Sequence, residues 1–156
     1  AGAAIRAGLR AGAGLLAAEQ VGLARWSLEA TVDYLKQRRQ FGRPLAEFQA
    51  LQFRVADMAT NLVASRQMVH GAAAKLDAGS ADASAWCAMA KRFATDTCFA
   101  LVDDALQLHG GYGYTREFPL ERLLRDLRVH RILEGTNEVM RLIVSRRLLG
   151  SDRELR

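Results

Sequence analysis

The stretch EFQALQFRVADMATNLVASRQMVHGAAAKL, residues 47–76, sets the fold class. Within it Leu51, Val55, Met58, Leu62, Ser65, Val69, Ala72 and Leu76 recur by fours and threes. Residues at that spacing share one face of an α-helix. Sustained over four heptads, the stripe predicts a bundle helix packed against its neighbours at a shallow angle. Met58 and Met68 belong to that packing.

On the N-terminal side of this helix, Gly42-Arg43-Pro44 reads as a turn, because proline pushes the preceding residue out of helical geometry. Before the turn a first helix is expected from about Ala3 to Arg38. Its inward stripe is read as Ile5, Leu9, Gly12, Leu16, Glu19, Leu23, Trp26 and Ala30. Gly8, Gly12 and Gly14 weaken its start, each by up to ~1 kcal/mol relative to alanine. On the C-terminal side, DAGSAD, residues 77–82, is a small polar turn. A third helix follows from about Ala83 to Leu108, with Trp86, Ala90, Phe93, Thr97 and Leu101 on one side.

The remainder, LQLHGGYGYTREFPLERLLRDLRVHRILEGTNEVMRLIVSR (residues 106–146), holds two shorter helices and two breaks. HGGYGY, residues 109–114, ends the third helix; Gly110, Gly111 and Gly113 permit unusual backbone or close approach of another group. No Gly-Lys-Ser/Thr follows and the preceding element is helical, so neither a P-loop nor a dinucleotide fingerprint is present. Leu120, Leu123, Leu124 and Leu127 mark a short helix with Pro119 at its first position, running out near His130. Gly135 then lets the backbone turn, and Thr136 can cap a last helix carried by Val139, Ile143, Val144 and Leu148. Glu138 in its first turn suits the helix dipole. Glu134 is thereby presented on a corner, where it reads either as a solvated acid or as a functional group. The whole predicts an all-α protein: an up-and-down bundle of three long and two shorter helices, with essentially no strand.

The 156 residues suffice for one domain with a single sizeable core. Half are hydrophobic and only two are proline, which favours helices over a β-sandwich. No apolar run approaches the ~18 residues of a membrane span, and the opening is a poor signal peptide. The net charge is 22 − 17 = +5. Its basic residues are scattered, without zinc spacing, an RNA-binding signature or a basic zipper, so nucleic acid is not indicated. A basic surface is also compatible with a polyanionic small molecule such as a nucleotide or coenzyme A, or with mere solvation. His109 alone reads as a capping or packing residue; no second His or Cys stands at metal spacing, and no metal site is expected. Cys87 and Cys98 fall eleven residues apart in one helix, ~16 Å along its axis and beyond bridging distance. A reducing, cytoplasmic setting is the expectation.

Three blocks, RRQFGRPLAEFQALQFRVADMA (38–59), LQLHGGYGYTREFPLERLLRD (106–126) and ILEGTNEVMR (132–141), together resemble the C-terminal domain of the acyl-CoA dehydrogenases in order and spacing. The resemblance is firmest from Tyr34 to Leu149, and the last block is nearest in wording to short- and branched-chain members. It implies an FAD enzyme of three parts, of which residues 1–156 correspond to the C-terminal helical one, without the N-terminal helical and middle β domains. By the resemblance, Glu134 is the catalytic base that takes the α-proton of an acyl thioester, giving a trans-2-enoyl-CoA. It places Arg38, Phe41, Phe48 and Gln49 at FAD, with the arginine suited to a pyrophosphate. It places Gln107, Leu108, His109, Gly110 and Gly111 at the FAD of a neighbouring subunit. Thr136, Asn137 and Glu138 are further FAD positions at a helix start, whose free N–H groups would point at an anion. Gly135 and Arg146 are substrate-side positions.

Implied partners are an acyl-CoA substrate, electron-transferring flavoprotein or a similar acceptor, and further copies of the chain in a dimer or tetramer. One departure concerns the first helix, where many short-chain members carry an arginine for coenzyme A and this chain has Ala13. Two alternatives stay open: a helical oligomerisation module without chemistry of its own, and an acyl-CoA oxidase, which shares the bundle.

Overall fold

The computed structural model describes residues 2–150, with the side chains of residues 2–7 and 10 outside that description. Five α-helices follow one another: α1 (Gly2–Gln37), α2 (Gln49–Asp77), α3 (Ala83–His109), α4 (Leu120–Val129) and α5 (Asn137–Leu148). Helix α3 lies at the centre and packs against each of the other four. The core follows from that arrangement: Ala24 and Leu35 of α1, Met58 of α2, and Leu120, Leu123 and Leu127 of α4 close around Cys98, Leu101, Val102, Ala105 and Leu108. The predicted all-α bundle of three long and two shorter helices is the observed one.

Extended backbone among the described residues is confined to a ribbon, β1 (Arg39–Gln40) against β2 (Arg43–Pro44), antiparallel with Arg39 opposite Pro44. The expected turn is thus a two-residue hairpin whose central residues, Phe41 and Gly42, both have positive φ (53° and 81°). That combination gives the twist which tight hairpins require. Phe41 supplies it without glycine's freedom, and its ring is left 91% exposed.

The stripe of α2 is inward as expected, with Met58, Ser65 and Ala72 fully buried. The stripe of α1 is corrected by one residue. The buried positions are Ala13, Ala17, Gln20, Ala24, Ser27, Thr31 and Leu35, while Glu19 and Trp26 are exposed and Leu16, Leu23 and Ala30 half-buried. Ile5 lies outside the described side chains. Small residues let α1 come close to α3, whose buried positions include Ala90, Ala94, Cys98 and Ala105. Their hydroxyls are answered within the helix: Ser27 Oγ donates to Leu23 O at 2.9 Å, and Thr31 Oγ1 to Ser27 O at 2.7 Å. Gln20 Nε2 reaches Leu127 O at 3.1 Å and His130 Nδ1 at 2.7 Å, tying α1 to the end of α4. On α3, Ala90 and Leu101 are buried as expected, but the stripe runs through Ala94 and Cys98 in place of Phe93 and Thr97.

A second, smaller cluster of Ala72, Cys87 and Ala90 closes the α2–α3 corner. Gly71 makes room there for the Trp86 ring, since a Cβ at Gly71 would stand 2.9 Å from Cζ3. Asp82 accepts from Lys75 Nζ at 3.0 Å and from Trp86 Nε1 at 3.1 Å, and the Ser80 hydroxyl also bonds it. Those contacts, the Ser80 hydroxyl first, pull its carboxyl down to about 2.

Candidate functional site

The chain from Arg131 to Asn137 leaves α4 and turns sharply into α5. Glu134 (φ 56°) and Gly135 (φ 92°) are consecutive left-handed residues, the second of them a glycine as the sequence predicts. Thr136 caps α5 as expected, its hydroxyl accepting from Val139 N at 3.4 Å. The glutamate is exposed on this corner, yet its carboxylate is not adrift in solvent. It rests on the backbone of α1: a Cβ at Gly12 would lie 2.8 Å from Oε2 and 3.1 Å from Cδ. Gly12, read from the sequence as part of the inward stripe and as a weak point in the first helix, leaves the space the carboxylate occupies.

Beneath the corner lies a polar cluster inside the protein. Lys91 of α3 is fully buried, and its Nζ donates to Gly135 O at 2.8 Å and Asn137 Oδ1 at 2.9 Å. Asn137 Nδ2 donates to Thr95 Oγ1 at 2.9 Å and Asp96 Oδ1 at 3.0 Å. Asp96 also pairs with Arg131 Nε at 3.0 Å and Arg141 Nη2 at 3.7 Å. The Arg131 guanidinium lies over the Phe99 ring, 4.4 Å from its centroid.

This cluster also engages the start of α5. Asn137 is buried, its side chain is committed to Lys91, Thr95 and Asp96, and its backbone N–H donates to Arg131 O at 3.0 Å. The N–H of Val139 goes to Thr136. The Glu138 carboxylate is held below the usual carboxylate range by its own backbone N–H first, then by the Thr136 hydroxyl and by Arg141. The first-turn N–H groups of Asn137 and Val139 are thus bonded within the chain.

A second group of predicted residues gathers at the other end of α3. Lys91 and His109 are 18 residues apart on that helix, about 27 Å along its axis. There Arg38, Gln107, Leu108, His109, Gly110 and Gly111 line one open cleft of about 480 Å³, together with Tyr34, Tyr112 and Thr115. Leu108 and His109 are buried. The His109 ring stacks on Tyr34 with centroids 4.2 Å apart, and its Nδ1 lies 2.8 Å from Ala105 O. Burial lowers its pKa from the ordinary value, with the bond to Ala105 pulling the other way.

Gly110 has φ 61° and ψ −141°, a region open to glycine, with no atom within 4 Å of where a Cβ would stand. Gly113 is a glycine for packing, as a Cβ there would meet Leu106 O at 2.5 Å. Phe48 sits under the hairpin, with the Arg43 guanidinium 4.0 Å over its ring, and Gln49 is exposed at the first position of α2. Arg146 is half-buried on the last turn of α5, apart from both groups in sequence. Ala13 lies 4% exposed on the inward stripe of α1. Among the described residues no group of His, Cys, Asp or Glu could hold a metal, and no helix is long and apolar enough to cross a membrane.

Gly12, Lys91, Thr95 and Asp96 are the residues sequence reading passed over. Lys91 alone left a signal. It falls four residues after Cys87 and three before Ala94, inside the buried stripe of α3, where an unpaired lysine is not tolerated.

A bundle whose acidic corner and glycine-rich cleft stand at opposite ends of one helix agrees with what comparison with known proteins finds. Residues 2–149 match the family of acyl-CoA dehydrogenase C-terminal domains, and the chain belongs to that family. It is 58% identical over 132 residues to the mitochondrial isobutyryl-CoA dehydrogenase of Dictyostelium discoideum, covering 85% of this chain and 32% of that protein. It is 53% identical over 142 residues to the bovine (Bos taurus) protein of the same name, covering 91% of this chain and 34% of that one. Among solved structures, butyryl-CoA dehydrogenase from Megasphaera elsdenii superposes with a TM-score of 0.88 at 40% identity, over 90% of this chain and 37% of that one. The chain spans about a third of the length of the curated relatives it matches.

Proposed function

We propose that this chain is the catalytic-base and FAD-contacting domain of a flavin-dependent acyl-CoA dehydrogenase, acting with an N-terminal helical and a middle β domain. The observation that carries the reading is Glu134: an exposed carboxylate on a left-handed corner, laid over the one helical position where glycine leaves it space. In this role Glu134 removes the α-proton of an acyl-CoA thioester. A fixed carboxylate within reach of that proton acts as a general base, and the Gly12 surface restricts where the carboxylate can stand. Gly135 and Arg146 face the substrate side in the same reading.

The residues present at the cleft fit FAD. Arg38 supplies a guanidinium for a pyrophosphate, Gly110 leaves its backbone open to close approach, and Phe41 holds an exposed ring in a conformation that solvent alone does not reward. Gln40, which also lines the cleft, and Gln107 add polar contacts, with Phe48 and Gln49 beside the hairpin. When bound, FAD accepts the β-hydrogen as hydride. The two groups of residues stand about 27 Å apart along α3. Their separation supports the reading in which Gln107–Gly111 serve the FAD of a neighbouring copy, while the Glu134 corner serves the chain's own. A homo-dimer or tetramer follows, with electron-transferring flavoprotein as acceptor and a reducing, cytoplasmic setting. Exposed Leu9, Leu15 and Trp26 on α1 give such assembly, or docking of the other two domains, apolar surface to cover.

The test is a chimera in which residues 2–149 replace the matching third of the bovine relative. It should purify yellow and bleach anaerobically on addition of isobutyryl-CoA. Glu134→Gln in that chimera should keep FAD and acyl-CoA binding but lose flavin reduction by ~10²–10⁴. Reduction at the unsubstituted rate would remove Glu134 as the base.

A further inference from the structure

We propose that Lys91 is a positioning residue, which locks the corner carrying Glu134 from inside the bundle. The proposal rests on the reading of Glu134 as base. Lys91 is fully buried, and neither oxygen it holds belongs to a carboxylate. It donates to Gly135 O at 2.8 Å and Asn137 Oδ1 at 2.9 Å, residues 44 and 46 positions away. An ammonium is costly to bury, and an unbranched methionine, one atom shorter, would fill most of the space without that penalty. The charge is kept for the bonds it makes.

Those bonds fall where the backbone most needs them. Glu134 is a non-glycine residue at φ 56°, a conformation that persists only when the surroundings hold it. Lys91 fixes the carbonyl immediately after it. On the far side Asn137 is held by Lys91, Thr95 and Asp96 together. On the near side Arg131 is held by Asp96 at 3.0 Å, and its carbonyl accepts the Asn137 N–H at 3.0 Å. Three residues of α3, at 91, 95 and 96, thereby pin both flanks of the seven-residue loop 130–136, and of the three Lys91 is the one bonded to Gly135 within it. Burial lowers the Lys91 pKa from its ordinary value, while Asp96, Glu138 and Glu134 draw it back up. The cation is thus set among the acids of the corner without forming one of the described ion pairs. It touches neither substrate nor cofactor in this role and acts through the aim of Glu134.

Two measurements test the proposal, the first independent of any flavin. In the 156-residue chain, Lys91→Met should keep its far-UV helicity, yet amide exchange at Gly135–Asn137 should quicken at least ~10-fold relative to α2 and α4. Unchanged exchange at the corner would overturn the lock; should Lys91→Met not fold, Lys91→Gln is read in the same assay. The second uses the chimera, with anaerobic flavin reduction by isobutyryl-CoA measured by rapid mixing. Displacing a base by about 1 Å costs on the order of 100-fold, so Lys91→Met should slow reduction by ~30-fold or more. FAD content and acyl-CoA Kd should stay within ~3-fold, and Lys91→Arg should recover part of the rate. Reduction within ~3-fold of the unsubstituted chimera, or a parallel loss of FAD and substrate binding, would overturn positioning. An unsubstituted chimera that fails to reduce its flavin would instead count against the proposed function, leaving amide exchange to decide the lock.

Discussion

Replacing Gly12 by alanine should make the protein more stable and less active at once. The added methyl would stand 2.8 Å from Glu134 Oε2 and 3.1 Å from Cδ, where ordinary contact begins at 3.4 Å. The carboxylate must therefore move by 3.4 − 2.8 = 0.6 Å or more. Moving it is cheap, because it is the far end of an exposed side chain. Glycine within a helix is less favourable than alanine by roughly 0.5–1 kcal/mol, so the net change is a gain of about 0.5 kcal/mol. For a domain of this size that raises the melting temperature by about 1–2 °C. The shift of the carboxylate works against catalysis. With ~100-fold at stake per ångström, a displacement of 0.6 Å should slow flavin reduction by roughly 10-fold. The assay pairs a thermal melt of the chain with rapid-mixing anaerobic reduction in the chimera. A lower melting temperature, or an unchanged reduction rate in the substituted chimera, would refute the contact between Gly12 and Glu134 as the cause.

Other outcomes follow from the same structure. Burial pushes the Cys98 thiol from 9.0 up to about 11. A raised folded-state pKa means its contribution is complete below pH 9 and lost as pH climbs through 11, amounting to roughly 2 kcal/mol by pH 11; urea titrations at pH 8 and pH 11 should differ by that much less in Cys98→Ala. Gly71→Val should lower stability by ~1–3 kcal/mol, because its Cβ meets Trp86 Cζ3 at 2.9 Å, and the Trp86 fluorescence should shift with it. The 156-residue chain alone should be strongly helical, colourless and self-associating, with sedimentation at high micromolar concentration separating that from a strict monomer.

The bundle was legible because α2 states its period in large apolar residues, and Met58, Ser65 and Ala72 are buried where the spacing put them. The corner was legible too, since Gly135 and Thr136 constrain backbone locally, whatever surrounds them; Pro119, expected as the first residue of α4, instead stands just before it. The face of α1 was not. Size and apolarity favour Leu16, Leu23 and Trp26 as the inward set, yet Ala13, Ala17, Ala24 and Ser27 are buried because close approach to α3 rewards smallness over apolar area. The same limit applies at the site. The sequence by itself determined that a glutamate would stand on a turn between two helices, because that depends on neighbours within a few positions. Only the tertiary structure decided what holds it: Gly12 lies 122 residues earlier and Lys91 43 residues earlier, and no local spacing connects either to Glu134. Side-chain packing across helices set those contacts, and it takes effect only once the bundle is closed.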